Sequence, residues 1–143
     1  MGFFDKLLGR TWQKLMDKGD RLRKQKEPGL ALQEYRVAQS KFDGEAGERA
    51  ALDERIAAVS AELRREHLAR AEELAEAAQW DRARTALDSA YELSASEAER
   101  DEITKKRGEL RAAEQQTHDV LKSATLSEDS GASEQNWGAF DVL

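Results

Sequence analysis

The sequence predicts an all-α fold built from antiparallel helical hairpins, and three observations lead there. Five residues recur at a fixed distance of 52 positions: Gly19, Leu22, Ala31, Tyr35 and Ala38 are matched by Ala71, Leu74, Ala83, Leu87 and Ala90. The composition, 36% charged with abundant Ala, Glu, Leu, Lys and Arg and a single Pro, is that of helices with a thin core. No run alternates apolar and polar residues for long enough to make a strand. Small and large residues at these spacings suit two helices packed closely, a bulky side chain of one seated over a small residue of the other. Two helix–turn–helix units follow, with turns at Glu27-Pro28-Gly29 and Gln79-Trp80-Asp81.

The first helix is expected from about residue 3 to 26. Phe4, Leu8, Trp12, Leu15, Gly19 and Leu22 step by three and four and share one face, which Phe3, Leu7 and Met16 widen. Pro28 suits the first turn of the next helix, where its missing N–H costs nothing. That helix carries Leu32, Tyr35, Ala38 and Phe42 and stops at Asp43-Gly44. A long third helix is expected over 45–79, striped by Leu52, Ile56, Val59, Leu63, His67, Ala71, Leu74 and Ala78. At 1.5 Å per residue it would span about 52 Å, more than its neighbours can cover. Part of it is therefore expected to be exposed, self-associated or packed on the last helix, with the excess over a usual repeat placed here as an N-terminal extension. Trp80 pins the next turn, and Ala83, Leu87, Ala90 and Tyr91 continue on a fourth helix ending near Ser94. Ser96-x-x-Glu99 is a capping-box signature for a fifth, striped by Ile103, Leu110, Ala113, Thr117, Val120 and Leu121. From Ser123 the periodicity stops, so residues 123–143 are expected to form a disordered acidic tail after a helical domain over 1–122.

The repeated pattern resembles the tetratricopeptide (TPR) repeat. The first copy reads Leu15-x2-Lys18-Gly19-x2-Leu22 and then Ala31-x3-Tyr35-x2-Ala38. The second reads His67-x2-Arg70-Ala71-x2-Leu74 and then Ala83-x3-Leu87-x2-Ala90. Lys18 and Arg70 stand where the family has Leu, and the period exceeds the usual 34 by about five helical turns. The resemblance implies a protein-binding scaffold in which the first helix of each pair lines a concave surface. Carried over, that lining comprises Gln13, Met16, Asp20 and Arg23 from the first copy, and Arg65, Leu68, Glu72 and Glu76 from the second. It lacks the Lys and Asn set with which TPR domains grip a C-terminal carboxylate.

Charge is unevenly spread over the 143 residues. Residues 1–26 hold eight basic and three acidic side chains, residues 27–122 fifteen and twenty-two, and the segment from Ser123 four acids and no base. The first segment is thus +5 within a chain of net charge −6. A basic helix on an acidic chain argues against a dedicated nucleic-acid binder. With no cysteine, thiolate metal sites, disulfides and cysteine nucleophiles are excluded. Glu66 and His67 point about 100° apart on a helix and cannot share a metal, and no phosphate loop, zinc spacing or activated serine is present. No enzyme activity, cofactor or metal is expected. A start without a long apolar core and the absence of a membrane-length apolar window lead to a cytoplasmic expectation.

Two elements offer extra docking. Phe3, Phe4, Leu7 and Leu8, in an amphipathic extension over residues 1–11, either cap the core or bind a partner or lipid. Apolar residues beside Lys and Arg suit an anionic lipid surface, and these opening residues resemble the amphipathic starts of PspA-type peripheral membrane proteins. Trp137, Phe140 and Leu143 form an aromatic cluster at the end of a polar tail, the arrangement of short docking motifs. The leading expectation is a non-enzymatic adaptor for another protein. The alternative is a peripheral protein of the inner membrane face, anchored by its first helix and assembled side by side with its own copies.

Overall fold

The computed structural model describes the backbone from Gly2 to Val142 and the side chains from Thr11 to Leu126. Five helices make up the fold: α1 (Gly2–Lys24), α2 (Pro28–Ser40), α3 (Ala46–Glu76), α4 (Trp80–Glu92) and α5 (Glu97–Val142). Each packs on its neighbour in the chain, α1 on α2, α2 on α3, α3 on α4 and α4 on α5. No strand occurs among the described residues.

The two hairpins share one turn geometry. After α1, the Glu27 N–H donates to the Leu22 carbonyl at 3.0 Å and the Lys26 N–H to that of Arg23 at 3.1 Å. After α3, the Gln79 N–H donates to the Leu74 carbonyl at 2.8 Å and the Ala78 N–H to that of Ala75 at 3.0 Å. Both are Schellman closures, with a left-handed residue at the same place: φ is 62° at Lys26 and 58° at Ala78. The turns therefore centre a residue or two before Pro28 and Trp80, which open α2 and α4. A side chain at a left-handed position carries a steric cost that glycine lacks. Lys26→Gly and Ala78→Gly should each stabilise the fold by roughly 0.5–1 kcal/mol, less the entropy glycine returns to the unfolded chain. Urea unfolding midpoints check this.

The matched residues are the core. Ala31, Tyr35, Ala38, Ala83 and Ala90 are fully buried, with Leu87 and Ala71 nearly so. They fall into two clusters. Trp12, Ala31, Leu32, Tyr35, Ala38, Leu52 and Val59 form the first. Ala71, Ala83, Ala86, Leu87, Ala90, Ile103 and Leu110 form the second, with Trp80 packed at its edge beside the turn.

The 31-residue α3 serves both clusters, Leu52 and Val59 from its first half and Ala71 from its second. Its second half packs on the last helix, one of the places expected for part of it, through Ala71 beside Ile103 and Leu110 and through the Glu72–Lys106 pair. Its first half is not the free extension that the sequence reading expected. It packs against α2 as the third helix of the first unit. In the second unit α5 takes that place, and Ile103 and Leu110 stand where Leu52 and Val59 do, at a distance of 51 rather than 52. The one-residue difference lies in the connections, five residues (41–45) between α2 and α3 but four (93–96) between α4 and α5. Both are capped by a carboxylate: Glu48 Oε1 accepts from the Glu45 N–H at 3.1 Å, and Glu99 Oε2 from the Ala95 N–H at 2.6 Å. The Ser96 hydroxyl accepts from the Glu99 N–H at 3.2 Å, one half of the capping box expected from the sequence, while the Glu99 carboxylate reaches the Ala95 N–H instead of that of Ser96.

Candidate partner-binding surface

In both units an ion pair ties the first helix to the third. Arg55 Nε lies 3.0 Å from Asp20 Oδ1 between α1 and α3. Lys106 Nζ lies 3.5 Å from Glu72 Oε1 between α5 and α3. Glu72 follows Asp20 by 52 and Lys106 follows Arg55 by 51, the same offsets that relate the core residues. The walls these pairs bridge differ in kind.

The first unit presents a charged wall. Asp20 accepts from the Tyr35 hydroxyl as well as from Arg55, and Arg23 Nη2 reaches Glu62 Oε1 at 2.7 Å. Asp20, Arg23, Lys24, Glu54 and Arg55 line an open depression with Ala51 and Ala58. Burial first, and then the hydrogen bond to Asp20, raise the Tyr35 phenol far above its ordinary value of 10.0. The unfolded chain gives up this proton near pH 10 while the folded chain keeps it. Stability contributed by the buried phenol is therefore complete below that pH and declines as pH climbs past it. Tyr35→Phe should flatten this decline, seen in urea midpoints taken between about pH 9 and 11.

The second unit presents an apolar groove instead. Leu68, Ala71, Ala75, Leu87, Leu110 and Ala113 line a cleft of about 190 Å³ between the second half of α3 and α5. Glu72, Lys106 and Glu109 complete its lining. Beside it, Arg84 of α4 pairs with Glu114 of α5, and Arg107 lies 2.6 Å from Asp88 with its guanidinium 4.7 Å from the Tyr91 ring centre.

Arg64, where α3 passes from one unit to the other, is the buried charged residue among the described side chains. Its Nε donates to the Ser94 hydroxyl at 3.2 Å. Its Nη2 donates to the Glu99 carbonyl at 2.9 Å and to Glu102 Oε2 at 3.0 Å. It fastens the middle of α3 to the α4–α5 corner. Its counterpart 52 residues earlier is Trp12, which meets Phe42 edge-on at 4.7 Å between ring centres, and Phe42 is likewise the counterpart of Ser94. One contact is thus built twice, once from two aromatic rings and once from a guanidinium and a hydroxyl.

The eight residues expected to line one concave surface are divided by this arrangement. Asp20 and Arg23 line the charged depression with their charges already paired, while Met16 packs on the first core and Gln13 is exposed. Leu68 and Glu72 line the apolar groove, and Arg65 and Glu76 are exposed. The sequence reading has Leu110 and Ala113 on the apolar stripe of the fifth helix but not as a wall of this groove, and Lys106 and the clamp at Arg64 are missing from it. The 52-residue offset from Trp12 was the one signal that could have marked Arg64 as an interior position. Phe3, Phe4, Leu7 and Leu8 lie outside the described side chains, as do Trp137, Phe140 and Leu143. His67 sits in a shallow depression with Arg70, Leu74 and Arg82, and His118 is exposed.

Among the described residues, no group of three His, Asp or Glu could hold a metal ion, and no helix is long and apolar enough to cross a membrane. No protein-family model, no curated protein and no solved structure matches the chain.

Proposed function

We propose that this chain is a non-enzymatic adaptor, a TPR-like helical frame that holds a segment of another protein. The apolar groove between α3 and α5 carries this reading. Its walls are Leu68, Ala75, Leu110 and Ala113, its rim carries Glu72, Lys106 and Glu109, and the equivalent place in the first unit is an open depression lined mainly by charged side chains. An apolar cleft with charges of both signs at its edge suits an amphipathic segment, whose apolar side chains enter while its charged ones stay at the rim. The TPR resemblance of the two hairpins favours the same class of partner. The test is capture from the native cell with the full chain and with Ala75→Arg/Ala113→Arg. The adaptor reading expects a protein retained by the first and lost by the second at equal helicity. Equal retention by both removes the groove from the account.

A second reading rests on the N-terminal segment. In the sequence the repeated pattern starts near Trp12, so it does not account for Phe3, Phe4, Leu7 and Leu8 or for Lys6 and Arg10 beside them. On this reading the protein docks on an anionic membrane through that segment. Co-sedimentation with anionic vesicles, with and without residues 1–11, separates it from the adaptor reading. Loss of lipid binding on deletion favours the membrane, and loss of folding favours a capping role.

A further inference from the structure

The first-helix motif occurs a third time. Met16-x2-Gly19-x2-Leu22 on α1 becomes Leu68-x2-Ala71-x2-Leu74 on α3, and the same 52-residue step leads to Val120-x2-Ser123-x2-Leu126 on α5. Each is a large apolar residue, a small residue and a Leu at three-residue spacing. In the first two copies the small residue is buried, and its flanks pack on the cores formed with α2 and α4. In the third, Val120 and Leu126 are each 61% exposed and Ser123 is exposed. Among the described residues, no second helix covers this face as α2 and α4 cover the other two.

What covers such a face can be read from the molecule twice over. α2 brings Ala31-x3-Tyr35-x2-Ala38 and α4 brings Ala83-x3-Leu87-x2-Ala90, each running antiparallel to the first helix after a short turn. The large central residue seats against the small one, as Tyr35 does against Gly19 and Leu87 in the cluster with Ala71. A shallow depression along α5, lined by Ala112, Gln116, Val120 and Ser123 among others, runs into this face. We infer that residues 116–126 of α5 form half of an intermolecular hairpin. Its other half is an amphipathic helix of a partner protein, antiparallel to α5, with small-x3-large-x2-small on its apolar face. This site is apart from the α3–α5 groove and does not depend on it.

The probe is a helix-stapled peptide of residues 27–41, the chain's own α2 sequence, with a photo-crosslinker in place of the Tyr35 side chain. It is titrated onto the full chain at up to about 1 mM, the weak end of specific association. Saturable binding is expected, with crosslinks to residues 120–126. Affinity should fall at least tenfold with Val120→Asp/Leu126→Asp, whose sites are exposed so that helicity is retained, and should be unchanged with Ala75→Arg/Ala113→Arg. Absence of binding, crosslinks elsewhere, or indifference to Val120→Asp/Leu126→Asp would overturn the proposal. So would a dimer, seen by sedimentation equilibrium, that this double variant dissociates, because the face would then belong to a second copy. Binding lost only with Ala75→Arg/Ala113→Arg would move the site to the groove and leave the adaptor reading standing without this one.

Discussion

Gly19→Ala lowers the stability of the chain by roughly 1–3 kcal/mol even though alanine is the better helix former. A methyl group at Gly19 would stand 2.5 Å from Cε1 and 2.8 Å from Cδ1 of Tyr35, well inside contact distance. The Tyr35 ring is fully buried in the first core and holds Asp20 through its hydroxyl, so it has little room to retreat. The second unit meets the same demand differently, with Ala71 and Leu87 in place of Gly19 and Tyr35. Tyr35→Leu alone leaves a void and should cost about 2–4 kcal/mol. Gly19→Ala/Tyr35→Leu copies the second unit's pair into the first, so its cost should undercut the sum of the single costs by at least about 1 kcal/mol. A double-mutant cycle from urea unfolding measures that difference. Strict additivity would mean that α1 and α2 do not nest through these residues.

The repeat was legible where one residue type is nearly forced by sterics and remained hidden where several can do the work. A close helix crossing leaves room for nothing larger than Gly or Ala, so Gly19, Ala31, Ala38 and their partners kept their character through 52 residues. The third helix of each unit meets a looser demand. Leu52 and Val59 correspond to Ile103 and Leu110, ordinary apolar residues, and a connection one residue shorter moves them out of register with the rest. The first part of α3 consequently read as an extension, and Arg55 and Glu62, which engage Asp20 and Arg23, went without a role. The candidate surface suffered from the same cause: spacing on the first helices marks one face of each, but whether that face is open depends on what lies across from it. The α5 wall that turns Leu68 into part of a groove was invisible without the fold. Helix ends were easier, since Pro28 and the Ser96–Glu99 cap act locally, whereas the left-handed turns use Lys26 and Ala78 where glycine would have announced them.

Arg64→Ala should cost about 2–4 kcal/mol, the largest loss expected from any change at the junction of the two units. The substitution removes three hydrogen bonds and leaves the Glu99 carbonyl and the Ser94 hydroxyl without their donor in a part-buried corner. Glu102 adds less to this total, because its side chain is half exposed and water can replace the guanidinium there. The damage should be local. The first core draws on α1, α2 and the early part of α3, so the amides of α2 should keep their exchange protection while those around Ile103 and Leu110 lose theirs. The first unit also suggests a cure. Arg64→Trp/Ser94→Phe transplants the Trp12–Phe42 ring contact to the equivalent position, exchanging a polar clamp for an apolar one of comparable reach. Recovery of at least half of the lost stability, with protection restored at Ile103, would show that the two contacts do the same job. If the aromatic pair instead left α5 unprotected, the guanidinium's bonds to Glu99 and Glu102 would be what docks this helix, and the two units would be alike in shape but not in the force that closes them.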